Sequence, residues 1–328
     1  MRRVCHLVDD TSPGGVTRFL EYIQSSPAMA ALGHHEVVAV GTGLRLPPRI
    51  EADVVVSHIV LSWKNLPFFF ALRAQTRGIP LIHMEHSYSP AFANLYVSAR
   101  GRFRRMLSVS LSLFDHVIAI SSPQRAWLLA ETGLSPEKIA LIPPYLDLSK
   151  FLNLPPVTRP IKRIGAIGRL DQQKGFDLLI EAFKAAKLDG ITLEIFGAGP
   201  ERKALAALAE NDAQIAFHGH IANPVLAMQS VDAIAMPSRR EPYGLVALEA
   251  LAAGRPLLVS RTDGLVDHAQ NGAIPVDRFD VDSWARALRN LCQSDHGTRG
   301  IAARANARRA EQKFIEGWST LLNGGVAH

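Results

Sequence analysis

The stretch RIGAIGRLDQQKGFDLLIEAFKAA, residues 163–186, joins a short apolar run to an amphipathic one. The run RIGAIG is apolar on both faces, as in a strand that is covered on two sides. Beyond a polar loop, apolar side chains recur at the i, i+3, i+4 and i+7 spacing of a helix, at Phe176, Leu179, Ile180 and Phe183. The stretch therefore predicts a strand, a loop and a helix, the repeating part of a βαβ unit.

The same alternation extends in both directions along the chain. Before the proline-containing segment 152–163 the candidate strands are 4–8, 35–40, 53–58, 80–85, 116–121 and 138–143. From that segment onward they are 163–168, 192–197, 214–219, 232–237, 256–260 and 273–276. Two such series predict an α/β protein with two doubly wound, Rossmann-like domains facing across a cleft at the carboxyl ends of their parallel strands.

The expected domains are an N-terminal domain over 1–150, a linker over 151–162 and a C-terminal domain over 163–310. A C-terminal helix is expected over 311–328, because Phe314, Ile315, Trp318 and Leu321 form an apolar stripe. Periodicity leaves open whether this stripe packs on the second domain or crosses back to the first.

Composition excludes several classes of protein. With 328 residues, 48% of them apolar and 20% charged, the chain is long enough for two ordinary cores. Its two cysteines, Cys5 and Cys292, indicate neither a disulfide framework nor a zinc site. The N-terminus does not resemble a signal peptide, and no apolar run reaches membrane-spanning length. We expect a cytoplasmic protein; the net charge of +6 suits an anionic partner without identifying it.

Two cations accompany the loop of the opening stretch. Arg169 follows the strand, and Lys174 lies at the start of the next helix. A cation there opposes the helix dipole, so it indicates an anion between the two side chains. A diphosphate fits that description. The alternative is a pair of solvated cations.

Glycines mark two further turns between a strand and a helix. Gly14 and Gly15 follow the first strand, and Gly197 begins GAGPERK. Glycine there leaves backbone N–H groups open to a phosphate, although glycines are also common in ordinary turns between a strand and a helix. The second turn lacks the third glycine and the acidic residue of a dinucleotide site, which disfavours a nicotinamide enzyme.

The segment EPYGLVALEALAAGRPLLVS, residues 241–260, places Glu241 and Glu249 around the start of a helix. Pro242 is expected in the first helical turn, which separates the two acids by at most roughly 12 Å. Glu241 would then face a sugar and Glu249 a ribose, with the N–H groups of Gly244 and Leu245 directed at phosphate between them. The alternative is that both acids are solvated.

Together these motifs resemble the retaining glycosyltransferases of family four, which have the GT-B fold. The segments that carry the resemblance are GRLDQQKGFDLLIEAF, IFGAGPE, FHGHI ending at Ile221, MPSRREPYGLVALEALAAGRPLLVS and the N-terminal GGV. It covers nearly the whole chain. PPYLD (143–147) and TDGLVDHAQNG (262–272) depart from the family pattern, which affects the hinge and the acceptor pocket.

The resemblance implies a role for each candidate residue. Glu241 and Glu249 are the acids of an E-x7-E motif, Arg169 and Lys174 hold the donor diphosphate, and Gly14–Gly15 closes over it. Gly197, Ile221, Gly244 and Leu245 complete the donor-binding set. His86 lies near the reacting sugar, to bond a hydroxyl or stabilise charge, whereas His83 is expected in the core.

The reaction is likewise implied by the family. The expected donor is a nucleotide-diphosphate sugar, with a UDP-hexose first, and the cations replace a metal, so neither a metal nor another cofactor is expected. Retention implies displacement on one face of the sugar, with Glu85 as a remote alternative for a covalent nucleophile.

Four arginines, Arg100, Arg102, Arg104 and Arg105, lie beside apolar residues of one predicted helix. Such a face suits anionic lipid and therefore a lipid-linked or surface-polysaccharide acceptor at the inner face of a membrane. A solvated basic face is the alternative, and no nucleic-acid motif is present. Two other functions stay open: a nucleotide-sugar epimerase of the same architecture, and a nucleotide-sugar-binding subunit without turnover.

Overall fold

The protein is described by a computed structural model that covers residues 1–40, 46–157 and 160–325. The chain divides into two compact units. The first comprises the residues up to Leu146 together with those from Glu311 onward, and the second runs from Asp147 to Ala310. Residues 158 and 159 of the predicted linker, and 326–328 of the predicted C-terminal segment, lie outside the described residues.

The first unit is built on a six-stranded sheet in which every pairing is parallel. Its strands are β1 (Arg3–Val8), β2 (His34–Ala39), β3 (Val54–Ser57), β4 (Leu81–Glu85), β5 (His116–Ala119) and β6 (Ile139–Leu141). They lie in the order β2-β1-β3-β4-β5-β6. Consecutive residues such as Val55 and Val56 are fully buried. Both faces are therefore covered, which explains the continuous apolar runs.

The covering helices of the first unit begin at recognisable signals. They are α1 (Gly15–Ser25), α2 (Pro27–Leu32), α3 (Leu66–Gln75), α4 (Pro90–Tyr96), α5 (Arg100–Ser112) and α6 (Ser122–Thr132). Ser26 and Ser89 cap α2 and α4, and each is followed by proline in the first turn. The helix α6 ends at Gly133, whose φ of 66° is the left-handed conformation common after a helix.

The second unit repeats the architecture with its own parallel sheet. Its strands are β7 (Arg163–Ile167), β8 (Thr192–Phe196), β9 (Ile215–Gly219), β10 (Ala233–Met236), β11 (Leu257–Ser260) and β12 (Ile274–Val276). They lie in the order β12-β11-β10-β7-β8-β9. The predicted class, two doubly wound α/β domains, is confirmed by these two sheets.

The helices of the second unit are α7 (Ser149–Leu152), α8 (Phe176–Ala186), α9 (Arg202–Ala209), α10 (Pro224–Ser230), α11 (Leu245–Ala252), α12 (Leu265–Gln270) and α13 (Val281–Gln293). The apolar stripe of α8 and the fully buried Trp284 of α13 belong to one core that also includes residues of β7, β8 and β10. The loops at the carboxyl ends of the strands lead directly into these helices, so this core positions the residues of the candidate site.

The C-terminal helix, α14 (Gly297–Leu322), begins well before the predicted segment 311–328. Phe314, Trp318 and Leu321 of the predicted stripe are buried and Ile315 is half-buried. Phe314 packs edge-on against Phe19 of the first unit, with ring centroids 5.8 Å apart. Tyr22 donates a hydrogen bond of 2.5 Å to Glu311. Within the first unit, therefore, the end of α14 packs on α1. Over the described ranges, none of the helices is long and apolar enough to cross a bilayer.

Candidate active site

The loop between β7 and α8 is organised by Asp171. Its carboxylate accepts hydrogen bonds from Arg169 Nε at 2.5 Å and from the backbone N–H of Lys174 at 3.3 Å. Lys174 lies directly before α8, as predicted, and Gly175 caps that helix with a φ of 67°. The stem of Lys174 passes Gly168, where an added Cβ would lie 3.3 Å from Lys174 Cε. The glycine therefore leaves room for the lysine.

This loop packs closely against the loop that follows β10. A Cβ at Gly175 would lie 2.1 Å from the carbonyl oxygen of Pro237, so only glycine permits the approach. Arg239 forms two hydrogen bonds with the carboxylate of Asp177, at 2.8 and 2.6 Å. Burial alone would raise the pKa of Asp177, but the hydrogen bonds and charge of Arg239, together with backbone N–H groups at the start of α8, lower it overall. The sequence had not identified Arg239 and Asp177 as partners.

Lys174 and Glu241 meet where these two loops come together. Lys174 Nζ lies 2.5 Å from Glu241 Oε2, and Ser238 donates to the same oxygen at 3.3 Å. The exposed fractions of the two charged side chains are 18% and 11%. The sequence analysis inferred that these two cations lack an anionic partner within the chain. That inference is wrong, because Lys174 pairs with Glu241 and Arg169 pairs with Asp171. The lysine–glutamate pair joins residues 67 positions apart in the chain, which spacing along the sequence could not reveal.

The start of α11 also differs from the prediction. Pro242 precedes the helix instead of lying in its first turn, because Gly244 takes a left-handed φ of 96° and α11 begins at Leu245. A Cβ at Gly244 would lie 2.9 Å from Leu265 Cδ2 and 3.2 Å from Glu241 Cγ. The segment from Glu241 to Gly244 is thus a tight turn that holds the first acid beside the helix N-terminus.

Glu241 and Glu249, the two acids of the segment 241–260, are buried. As whole residues, Glu241 is 8% exposed, and Glu249, the fifth residue of α11, is 0% exposed. The alternative that the two carboxylates are solvated is therefore contradicted. A buried carboxylate is costly unless it is paired or hydrogen-bonded, so this arrangement is unusual for residues that serve only as helix formers.

Asp263 is a residue of this site that the sequence analysis missed. Its carboxylate accepts the backbone N–H of Glu241 at 3.1 Å, and the N–H of Gly264 donates to the Glu241 carbonyl at 3.0 Å. Asp263 itself has a φ of 42°, a conformation that non-glycine residues seldom adopt. The signal that could have identified it is position, since TDG follows β11 at the same sheet edge as the other loops.

The remaining donor-binding candidates of the second unit lie at the same carboxyl edge. A Cβ at Gly197 would lie 1.8 Å from the carbonyl oxygen of Gly168, so packing between neighbouring loops already requires glycine there. Ile221 is half-buried in the loop after β9, and Leu245 is half-buried at the start of α11. The structure brings Glu241 into contact with Lys174 and places it beside Gly244.

The first unit contains the other predicted site residues. Gly14 and Gly15 lie at the start of α1, as predicted, and Gly14 has extended backbone with φ −175°. A Cβ at Gly14 would meet only the carbonyl oxygen of Ser12, at 3.8 Å. Packing within the described residues does not require this glycine, which is consistent with a turn kept open for a ligand.

His86 follows β4, as predicted, and its Nε2 lies 2.8 Å from His58 Nδ1. Burial lowers the pKa of His86 to about 4. The adjacent Glu85 is buried, and its carboxylate accepts the N–H groups of Ser87 and Tyr88 at 2.7 and 2.9 Å. It also lies 3.3 Å from His83 Nε2.

These contacts give Glu85 a structural function that holds the loop carrying His86. Burial alone would raise its pKa, but the hydrogen bonds from His83, Tyr88 and Ser87 lower it overall. Gln124 completes the support by donating to the carbonyls of Glu85 and Tyr88 at 3.1 and 2.7 Å. The sequence had not identified Gln124. A carboxylate held in this way is poorly placed to act as a nucleophile.

Metal-ligating side chains do not cluster in the described ranges: no group of three or more His, Cys, Asp and Glu residues there could hold a metal ion. Metal independence stays a prediction. Cys5 and Cys292 are both free thiols, and burial raises the pKa of each to about 11.

Comparison with known families identifies both halves of the chain. Residues 44–150 match the model described as Glycosyltransferase Family 4, and residues 161–294 match the model described as Glycosyl transferases group 1. A D-inositol 3-phosphate glycosyltransferase of Arthrobacter sp. is 29% identical over 262 residues, which are 71% of this chain and 61% of the relative. One of Mycobacterium marinum is 30% identical over 290 residues, 79% of this chain and 59% of the relative. The chain therefore spans about three fifths of the length of these curated relatives.

Solved structures agree with the family assignment at the level of the fold. Alr3699/HepE of Anabaena, solved in complex with UDP and glucose, aligns with a TM-score of 0.72 at 16% identity and 98% coverage of both chains. Sucrose-phosphate synthase of Thermosynechococcus elongatus aligns with a TM-score of 0.74 at 20% identity, again with 98% coverage of both. The chain belongs to the family-four glycosyltransferases and has their GT-B fold.

Proposed function

We propose that the protein is a retaining, metal-independent glycosyltransferase. It transfers a sugar from a nucleoside diphosphate sugar to a hydroxyl group of a lipid-linked or surface-polysaccharide precursor, in the cytoplasm at the inner face of a membrane. The observation that carries the proposal is the contact of Lys174 Nζ with Glu241 Oε2, at 2.5 Å, directly before the N-terminus of α11.

This pair matches the charges that the reaction creates. Breaking the bond between sugar and phosphate builds negative charge on the leaving diphosphate and positive charge on the sugar. Lys174 supplies an ammonium for the first and Glu241 a carboxylate for the second. The N–H groups at the start of α11 add a favourable dipole for phosphate. Preorganised charges of this kind stabilise the transition state more than the bound donor, which is the condition for catalysis.

Arg169 can take part at small cost. Its side chain is 69% exposed, and an exposed ion pair such as that with Asp171 contributes only about 0–1 kcal/mol. A charge-assisted hydrogen bond to phosphate contributes about 1.5–3 kcal/mol net. Exchange of the aspartate for a diphosphate is therefore favourable. Glu249 is assigned to the ribose hydroxyls of the donor.

Retention fits a displacement on one face of the sugar, in which the leaving phosphate accepts the proton of the acceptor hydroxyl. The engagement of Glu85 in its own loop supports this route over a covalent intermediate. UDP-glucose is the first donor to test, because the Anabaena protein of the same fold has been solved with UDP-glucose. At 17% identity that likeness does not determine the donor.

The acceptor proposal is supported by a groove in the first unit. It has a volume of about 340 Å³ and is lined mainly by aromatic and apolar side chains, among them Trp63, Tyr88, Phe92, Tyr96 and Phe103. Arg102 also lines it, and the neighbouring arginines of α5 are exposed. An apolar groove with cations beside it suits a lipid bearing phosphate better than a free sugar phosphate.

A donor screen tests the proposed reaction. Purified protein is incubated with a panel of nucleoside diphosphate sugars, and release of nucleoside diphosphate is followed with and without a lipid-linked acceptor. We expect one donor to be consumed by the wild type and not by Glu241→Ala. Interconversion of donors without release would establish the epimerase instead, and binding without turnover would establish the silent subunit.

Vesicle binding tests the acceptor side separately. The double variant Arg102→Gln/Arg105→Gln should lose cosedimentation with vesicles containing phosphatidylglycerol, and phosphatidylcholine vesicles should bind neither form. Arg308→Gln/Arg309→Gln is the matched control, since it removes the same charge from exposed positions of α14. If both variants lose the same amount of vesicle binding, the arginines of α5 form only a solvated basic face.

A further inference from the structure

Four histidines lie next to one another across the sheet of the first unit. His35 is on β2, His6 on β1, His58 directly after β3 and His86 directly after β4. Those strands are neighbours in the order β2-β1-β3-β4. The histidines are therefore adjacent across the sheet although they are distant in the chain. We call them the histidine chain.

The rings of the histidine chain are joined nitrogen to nitrogen. The distances are 3.0 Å from His35 Nδ1 to His6 Nε2, 2.9 Å from His6 Nδ1 to His58 Nε2, and 2.8 Å from His58 Nδ1 to His86 Nε2. All three are hydrogen-bond lengths. His6 and His58 therefore use both ring nitrogens within the chain.

Apolar rings cover the histidine chain. Phe19 packs against His58 and His86, with ring centroids 6.1 and 5.9 Å away, and Trp318 packs against His6 and His35 at 5.8 and 6.3 Å. Burial lowers the pKa of all four histidines: His6 to about 3, His35 and His86 to about 4, and His58 well below its usual range. At neutral pH each ring therefore has one N–H and one lone pair.

Neutral rings in such a chain must all point the same way. Each link needs one N–H and one lone pair, so the three hydrogen bonds run either from His86 to His35 or from His35 to His86. The rings therefore share one tautomer: either all four carry hydrogen on Nε2, or all four carry it on Nδ1.

We propose that His35, His6 and His58 are positioning residues that fix the ring orientation of His86 and give it the tautomer that the histidine chain shares, so that its Nδ1 offers one defined hydrogen-bonding group to a hydroxyl of the transferred sugar. The part concerning the sugar rests on the proposed function, whereas the shared tautomer does not. Of the two roles expected for His86, a neutral ring favours bonding to a hydroxyl over stabilising charge.

Few other titratable groups influence the histidine chain. Glu85 raises the pKa of His86 and His83 lowers it, both less than burial does. His83 also lowers the pKa of His58, and His34 lowers that of His35. Phe19 of α1 and Trp318 of α14 carry no charge. The neutral state of the histidine chain therefore depends mainly on burial beneath Phe19 and Trp318.

The tautomers can be read directly by NMR. The full chain is labelled with ¹⁵N-histidine, and two-bond ¹H–¹⁵N correlations are recorded at pH 7, with assignments from single His→Gln variants. We expect all four rings to be neutral and to share one tautomer. A cationic ring, or a mixture of Nε2–H and Nδ1–H rings, overturns the inference. This readout needs no turnover, so it stands apart from a failure to find a donor.

Variants of His58 connect the tautomer to the reaction. His58→Gln keeps one donor and one acceptor, and His58→Leu removes both. With UDP-glucose, or another donor that the screen identifies, we expect kcat/KM to fall about tenfold in His58→Leu, the loss of roughly one hydrogen bond, and to stay near wild type in His58→Gln. His34→Leu changes an exposed residue that is next to His35 and outside the histidine chain, so its kcat/KM should equal that of the wild type.

The tautomer of His86 separates positioning from simple loss of packing. In His58→Leu the ring of His86 loses its partner, so its ¹⁵N pattern should become a mixture of the two tautomers, whereas His58→Gln should keep the wild-type pattern. Equal activity and equal ¹⁵N patterns for His58→Leu and His58→Gln would overturn the positioning role. If His58→Leu does not fold, retention of the wild-type His86 tautomer in His58→Gln is the deciding measurement, and its absence overturns the inference.

Discussion

The carboxyl edges of the two sheets carry opposite kinds of chemistry. In the second unit, the edge holds the charged pair Lys174 and Glu241, 2.5 Å apart. In the first unit, the corresponding edge holds the neutral imidazoles of His58 and His86, at one end of the histidine chain. Both edges arise from the same succession of strand, loop and helix. The architecture therefore provides the location, and the surroundings of each side chain decide whether it stays charged.

Pairing explains the difference physically. A charge is costly to bury unless it is paired, and Lys174 and Glu241 satisfy this by pairing with each other. The histidine chain lies beneath Phe19 and Trp318, and the nearby Glu85 raises the pKa of His86 less than burial lowers it. Loss of the proton is the less costly state there, and the hydrogen bonds between neutral rings satisfy their nitrogens. One edge is thus suited to phosphate and the other to hydroxyl groups.

The sharpest test of the charged edge is Lys174→Ala. Removing a preorganised cation from a developing negative charge should lower kcat/KM for donor turnover by about 10²–10³-fold. Steady-state release of nucleoside diphosphate measures the loss. Lys184→Ala is the control, because Lys184 lies on α8, the helix that follows Lys174, and pairs with the exposed Glu210. A decrease below about threefold in Lys174→Ala would remove this lysine from the mechanism.

The close packing behind the charged edge is tested by Gly175→Ala. Both Gly175 and Gly190 have left-handed φ, at 67° and 68°, but only at Gly175 would a Cβ strike a backbone oxygen. We expect Gly190→Ala to cost about 1–2 kcal/mol of unfolding free energy and Gly175→Ala at least about 2 kcal/mol more, since overpacking is added to the same strain. Urea unfolding of the two variants measures both, and similar midpoints would contradict the close approach.

Acid should affect the neutral edge before the charged one. The folded pKa values of the histidine chain lie below the ordinary value of about 6.5, so the unfolded chain binds protons first as pH falls. Their contribution to stability is complete above about pH 6.5 and is lost as pH falls toward about 4. In the second unit, His268 alone among the described histidines has a pKa resolved as lowered, to about 4.

Hydrogen exchange resolved by peptide, corrected for the intrinsic effect of pH, measures this order. Between pH 6.5 and 4.5 the peptides that contain His6, His35 and His58 should lose protection before those of β7 and β10. Earlier loss of protection in the second unit would show that the histidine chain does not govern acid stability.

The smallest effect is expected at Arg169, the most exposed member of the charged edge. Its contact with the diphosphate should be similar before and during reaction, so Arg169→Ala should raise KM about threefold to tenfold with little change in kcat. Arg163→Ala, at the opposite end of β7, should leave both constants unchanged. A large fall in kcat instead would indicate that Arg169 acts mainly in the transition state.

Much of the fold and part of the site could be predicted from the sequence. The apolar runs located all twelve strands to within one or two residues, because a strand buried on both faces leaves a continuous local pattern. The helix signals placed Lys174 before α8, and the carboxyl-edge rule placed Glu241 with it on one side of a sheet. Each of these predictions depends on residues close together in the chain or on a general rule of parallel sheets.

The partners of those residues could not be predicted in the same way. The Lys174–Glu241 pair spans 67 residues, and the grip of Asp263 on Glu241 depends on which loops the strand order brings together. The helix α11 begins later than predicted, because Gly244 takes a left-handed φ. Glycine suits that φ, and an added Cβ would also approach Leu265. The histidine chain requires four strands in a specific order.

By itself, then, the sequence determined the two parallel α/β domains, the family and the identity of the charged residues at one sheet edge. The tertiary structure alone decided which charges pair, which histidines lose their charge and where the functional helix begins. The physical reason is range: hydrophobic periodicity and turn chemistry act within about ten residues. Ion pairing, burial and hydrogen-bonded chains depend on distances in space that the strand order creates.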